Sequence, residues 1–376
     1  MDEVLLHGQA VSDARSSRLP AGPKKLNSLQ WLRYVAALFV VFYHAAGHMK
    51  MVRGSDWGIE HTPDWLGPAG VMIFFALSGN LMASAMMRQK APQFLLHRVV
   101  RIYPAFLLCA ILTIVINYLL HGDNSIDWRA ISLMPYGGSG YPLGVEWTLV
   151  FEIVFYVFVA GIIALNKQAE AVPILIGWLV LIVINCHFHP DDPTTNVFPP
   201  PQLLFQSINA AFATGMLLPL IIRFPVHPIL AFLIAVALVL VSPQYGTVSM
   251  RWGYGLGAAL FVLSLSRYRG LPALFGNGIG GRLGNRLGNA SYALYLCHVP
   301  IIRWTYFGFE HVNPQHIFFM AIAFAITGSL VIGALDVWMY GHMKGLVDRG
   351  GRWVSPTAAA FLAVFAAVAT WSTIYG

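Results

Sequence analysis

Long apolar runs, separated by short polar or Pro/Gly-rich breaks, fill this chain from residue 29 almost to its last residue. They fall near 29–48, 69–87, 99–120, 146–166, 172–189, 202–222, 227–242, 250–266, 288–307, 315–340 and 354–374. A helix needs roughly 20 apolar residues to cross a hydrocarbon layer. It also satisfies its own backbone groups there, which an irregular segment in lipid does not. The pattern predicts an all-α integral membrane protein, a polytopic helical bundle of about 10–11 transmembrane helices. The seventh run is short and flanked by Pro225 and Pro228. No internal repeat of the kind that marks many transporters is visible.

Composition excludes a soluble alternative. Of 376 residues 57% are apolar and 10% charged, against about 25% charged in ordinary soluble domains. A mean hydropathy of +0.65 over this length does not come from one globular core. Cys109, Cys186 and Cys297 each lie inside an apolar stretch, lack metal-ligand spacing and are odd in number, so they read as packing residues. The segment from Met1 to Pro23 is polar, opens with Asp2 and Glu3 and has no basic region ahead of an apolar core. It is therefore not a cleavable signal peptide, and residues 1–25 are expected to form a disordered cytoplasmic tail.

Charge sets the orientation. With the N-terminus inside, all of the 23 Lys and Arg except Lys50, Arg53, Arg129, Arg251 and Arg303 fall in inner segments or helix ends. Outer loops carry Asp56, Glu60, Asp64, Asp123, Asp127, Asp191, Asp192 and Glu310 instead. Such asymmetry is the positive-inside rule, so the net charge of +7 is a topology signal and implies no nucleic acid.

Ionisable side chains within spans are costly and mark candidate chemistry. The first run holds Arg33 and His44. Their spacing is three helical turns plus some 20°, so they share a face about 16 Å apart along the axis. Arg33 then lies near the inner end, in reach of the interface, and His44 near the outer end. In the third run Arg98 and Arg101 are i,i+3 neighbours. Their forks suit phosphate, and simple anchoring to anionic lipid is the other reading. Glu152 and Tyr156 are i,i+4 in the fourth run. A carboxylate that deep needs protonation or a His or Arg partner, and His44 is the natural candidate. Glu146 reads as a solvated helix start. Ser78, with Gly79 and Asn80, reads as a close helix contact, and His298 in the ninth run as either structural or catalytic. His187 and His189, beside Cys186 and Asp191, match no strong metal motif, so no metal is expected.

Taken in order, these segments resemble the acyltransferase-3 family of bacterial membrane acyltransferases, which modify O-antigens, Nod factors, exopolysaccharides and other extracytoplasmic glycans. The stretch Leu26 to His44 is similar to the family's opening, with its basic residue, ten-residue gap and His. Phe74 to Gly79 is similar to its Phe-Phe-x-x-Ser-Gly, and Arg98 with Arg101 to its Arg-x-x-Arg. Trp147, Leu149, Glu152, Phe155 and Tyr156 follow its Trp-x-Leu-x-x-Glu-x-x-Phe-Tyr, and Leu287 to His298 its Leu-Gly-x-x-Ser-Tyr…His. The wording from Leu143 to Leu149 looks closest to the exopolysaccharide-modifying branch. Met72 stands where an acidic residue is common, and the usual Glu-x-Pro is not recognisable between Asp336 and Gly345. No esterase-like soluble domain follows the membrane region, so the chemistry is expected within the spans.

The resemblance implies a division into the tail, an acyltransferase membrane domain at 26–345 and an additional C-terminal transmembrane helix at 346–376. It implies transfer of an acyl group, acetyl first, from cytosolic acyl-CoA as co-substrate to a glycan hydroxyl. In this expectation Arg98, Arg101 and Tyr103 bind acyl-CoA, and Arg33 belongs with the catalytic pair His44 and Glu152. His44 is the general base, oriented by Glu152 or another buried acid, with an acyl-histidine as the variant. Ser78, Trp147, Tyr156, Tyr292 and His298 shape the site or meet the acceptor. The expected setting is the bacterial inner membrane, beside membrane lipid and the polysaccharide synthesis machinery. Two rivals use the same buried charges: a flippase for a lipid-linked sugar, and a non-catalytic partner of a polysaccharide synthase.

Overall fold

The computed structural model describes residues 26–122, 129–137, 140–189, 198–222, 227–267 and 275–375. The expected tail at 1–25 lies outside them, as do Asp123, Asp127, Asp191 and Asp192. Each apolar run is a helix: α1 Asn27–Arg53, α2 Leu66–Met86, α3 Ala91–His121, α4 Glu146–Ala164, α5 Ala171–Phe188, α6 Asn209–Ile221, α7 Pro228–Val241, α8 Thr247–Arg267, α9 Ile279–Gly308, α10 Pro314–Arg349 and α11 Val354–Tyr375. No strand occurs among the described residues. All but α6 and α9 are long and apolar enough to cross a membrane. The chain is an all-α, multi-pass membrane protein.

Several helices outrun their apolar stretch, and the reason is directional. Hydropathy measures what a helix contains, whereas polar residues are tolerated wherever they face protein instead of lipid. Thus α3 begins at Ala91, not 99, and takes in His97 and Arg98. His97 Nε2 lies 2.9 Å from Asp348 Oδ1 on α10. At 1.5 Å per residue the 36 residues of α10 extend about 54 Å, well beyond a hydrocarbon core of about 30 Å. The sixth run gives the short helix Pro200–Leu203 and then only 13 residues of α6.

The start of α1 packs on the Gly-rich start of α9. Asn27 Nδ2 donates to the carbonyls of Phe275 and Gly276, at 3.2 and 2.8 Å, and Trp31 Nε1 to that of Gly280 at 3.1 Å. A side chain at Gly288 would sit 2.6 Å from the Gln30 carbonyl oxygen, so only glycine admits this approach. Ser28 Oγ donates to the Leu265 carbonyl of α8 at 2.9 Å. This end, where α1 and α9 start and α8 finishes, is the near end. At the far end Arg53 closes α1 against α9 and α10, donating to the carbonyls of Tyr306 (3.4 Å), Phe309 (3.1 Å) and Val312 (3.3 Å), and to that of Glu310. Between α2 and α6 the contact is reciprocal. A side chain at Gly79 would meet the Phe212 carbonyl and stand 2.8 Å from Met216 N, while one at Gly215 would meet Ala76.

Glu146 corrects the expectation of a solvated helix start. It is completely buried, accepting from the Leu143 N–H at 2.7 Å and the Val145 N–H at 2.9 Å. Its carboxylate turns back to satisfy amides that the first turn of α4 leaves open. The three cysteines are buried and free.

Candidate active site

Six helices, α1 to α4 with α9 and α10, enclose a cavity of about 300 Å³ in the near half of the bundle. Arg33, Ser78, Arg98, Arg101, Glu152, Tyr156 and Tyr292 all line it. On α4 the lining residues Thr148, Glu152 and Tyr156 repeat every four positions, so one stripe of the helix faces inward.

The carboxylate at the centre of this wall is held by neutral donors. Glu152 Oε1 accepts from Ser78 Oγ at 3.1 Å and from Tyr156 OH at 2.5 Å. It forms no ion pair among the described residues. The expected Glu152–His44 contact is therefore absent: the two residues occupy different depths of the bundle. Ser78 likewise does more than allow close packing.

The arginines differ sharply. Arg101 Nη1 donates to both oxygens of Asp336 on α10, at 3.1 and 2.8 Å, and Asp336 is 1% exposed. The same guanidinium stands 4.7 Å from the ring centre of Tyr292 and 5.3 Å from that of Tyr340. Among the described residues Arg98 has no carboxylate partner; it lies over Phe94 and Tyr156 at 5.7 and 5.9 Å, and its buried Nε lacks a hydrogen-bond partner there. Arg33 also forms no ion pair among the described residues. The cavity thus carries positive charge in excess, suited to an anion.

Beyond the cavity, toward the far end, the histidines meet. His44 Nδ1 is 2.9 Å from His298 Nε2, and His298 Nδ1 is 3.0 Å from the Leu294 carbonyl. A carbonyl only accepts, so in the neutral pair Nδ1 of His298 carries its proton and Nε2 its lone pair. His44 then donates from Nδ1, and its own Nε2 holds a lone pair, the state a general base requires. Tyr295 separates the two regions. It lines the cavity, shares a 2.7 Å hydrogen bond with Thr148, and its ring centre is 5.9 Å from that of His298.

Two expected site residues lie elsewhere. Tyr103 donates to the Ser132 carbonyl at 2.7 Å and packs edge-on against Phe361 of α11. Two residues on from Arg101 it is some 200° around the helix, so both cannot face one cavity. Trp147 borders a small aromatic hollow with Tyr136, Tyr141 and Phe198, since its neighbour Thr148 holds the inward stripe. Conversely, Gln30, Thr148, Tyr295 and Tyr340 line the cavity, and Asp336 stands behind Arg101, without having been expected. Asp336 was detectable as a lone carboxylate in an apolar run, by the rule that singles out Glu152. The others carried no such signal.

Residues 26–334 match the model of the acyltransferase-3 family, described as an acyltransferase domain. Nodulation protein 10 of Rhizobium leguminosarum bv. viciae is 28% identical over 196 residues, 44% of this chain and 53% of that protein. The chain thus spans about half the length of the curated relative it matches. No solved structure matches it. With the family match running through nearly all of the helical bundle that surrounds the cavity and the histidine pair, the chain belongs to the acyltransferase-3 family.

Proposed function

We propose that the protein moves an acyl group, acetyl in the first instance, from cytosolic acyl-CoA to a hydroxyl of an extracytoplasmic polysaccharide or lipid-linked glycan. One observation carries this reading: a single helix, α1, bears an unpaired guanidinium in a cationic cavity and, three turns on, an imidazole with its tautomer fixed. The clustering of Lys and Arg in the near-end segments supports a cytoplasmic placement of that end and of the N-terminus, and the family supports a bacterial inner membrane. The acyltransferase unit spans about 26–345, the last turn of α10 continues to Arg349, and α11 is an added helix that packs on α3.

The donor's phosphates bind at the arginine end of the cavity, and its thioester arm follows the α1 face past Tyr295. His44 Nε2 takes the hydroxyl proton as the acceptor oxygen attacks the thioester carbon. The C–S bond breaks, the proton passes to the departing thiolate, and an ester and free CoA result. His298 holds His44 in the required tautomer. Glu152, bonded by Ser78 and Tyr156, lies on the donor's path and does not act through His44. Membrane lipid surrounds the bundle, and the polysaccharide synthesis machinery supplies the acceptor.

Calorimetry of acetyl-CoA binding to the detergent-purified protein tests the reading. Saturable binding that survives in His44→Ala, together with loss of acyl transfer in that variant, is the expected result. A folded wild type that binds neither acetyl-CoA nor longer acyl-CoAs would instead favour transport of a lipid-linked sugar.

A further inference from the structure

The two arginines of the Arg-x-x-Arg pair look equivalent in sequence, and their surroundings are not. We propose that they are divided in function: Arg98, with Arg33, is the anion ligand of the cavity, while Arg101 is a positioning residue held by Asp336. The inference rests on the donor reading above and assigns its phosphate contacts.

Arg101 has its charge neutralised within the protein. Both oxygens of the buried Asp336 carboxylate accept from it, and the rings of Tyr292 and Tyr340 lie against its guanidinium. A phosphate entering this position would stand beside a carboxylate that has nowhere to go, and like charges at a few ångströms repel strongly in a low-dielectric site. Arg101 therefore ties α3 to α10, and through the ring of Tyr292, whose OH donates to the Ile102 carbonyl at 3.0 Å, to α9. Three of the cavity's six walls meet at this one cation.

Arg98 is the opposite case. It rests on two aromatic rings that supply cation–π attraction and leave the outer edge of its fork uncommitted, and it has a buried Nε without an acceptor. A buried unsatisfied donor is costly, and an incoming anionic oxygen would relieve that cost. Arg33 faces the same cavity without a salt-bridge partner among the described residues. Arg33 on α1 and Arg98 on α3 thus both line the cavity and form no ion pair among the described residues.

Removing Asp336 alone would leave a buried charge unpaired and endanger folding, whereas replacing both partners by apolar residues of similar size is often tolerated. The decisive variant is therefore Arg101→Met with Asp336→Leu, compared with Arg98→Met. Acetyl-CoA affinity is measured by calorimetry, kcat and KM by acyl transfer, and folding by the melting temperature in detergent. The double variant is expected to keep its Kd for acetyl-CoA within about threefold while kcat falls. Arg98→Met is expected to weaken Kd by about tenfold or more, the worth of one charge-assisted hydrogen bond. Rescue belongs to the same test: Asp336→Glu, which keeps the ion pair, should retain more kcat than the double variant, with Kd alike in both. A folded double variant whose Kd rises as much as that of Arg98→Met would overturn the division. Absence of acetyl-CoA binding in the wild type would overturn the donor reading itself, so the two failures are distinguishable.

Discussion

The two halves of α1 face opposite kinds of chemistry. Around Arg33 the protein leaves room: a cavity of about 300 Å³ with three guanidinium groups and the Glu152 carboxylate in its wall. Around His44, which does not line that cavity, two imidazoles are linked in a chain, imidazole to imidazole at 2.9 Å and imidazole to carbonyl at 3.0 Å. Binding a large anion calls for space and unneutralised charge. Proton transfer calls for one nitrogen held in one tautomer, which a chain of hydrogen bonds provides. The difference explains why a single helix can serve both tasks: three turns separate them, and Tyr295 marks the border.

Changes at the far half should break catalysis and leave donor binding alone. His44→Ala is expected to lower acyl transfer by about 10³-fold, within the range for loss of a general base, with acetyl-CoA affinity and melting temperature preserved. Activity near wild type in that variant would remove His44 from the mechanism. His298→Ala should follow with a loss of about 10²-fold, because His44 then loses the acceptor that sets its tautomer. The effect belongs in kcat, and an equal rise in KM for acetyl-CoA would show that the two regions are not separate.

Changes between the regions should be smaller and mixed. Gly79→Ala forces a methyl against the Phe212 carbonyl, and overpacking of this kind costs about 1–3 kcal/mol. The melting temperature should drop, and the adjoining Ser78–Glu152 bond should weaken with it. Tyr156→Phe removes one of the two donors to Glu152. A neutral hydrogen bond is worth about 1 kcal/mol, so kcat/KM should fall by roughly fivefold, an effect confined to the cavity side. No change at all would mean that Glu152 is held by Ser78 alone.

What could be read from the residues divides along the same line. Arg33 and His44 lie on one helix, where a fixed angle per residue carries geometry directly. The same holds for Glu152 with Tyr156, which do bond to one another. Failures occurred wherever the partner came from another helix. His44 meets His298, not Glu152, and Arg101 meets Asp336. Tyr103 lies two places beyond a motif arginine and Trp147 opens its own motif, yet successive residues of a helix point some 100° apart, and both face away from the cavity.

The helices themselves were determined by the chain alone. In a bilayer every backbone group must be satisfied locally, so apolar length by itself dictates helix number and type. Every apolar run is helical for that reason, though the sixth yields only short helices. Which arginine stays charged and free, which carboxylate is neutralised and which nitrogen of His44 holds the lone pair were decided only in three dimensions. Each depends on what one helix presents to another across a few ångströms, and hydropathy has no term for direction.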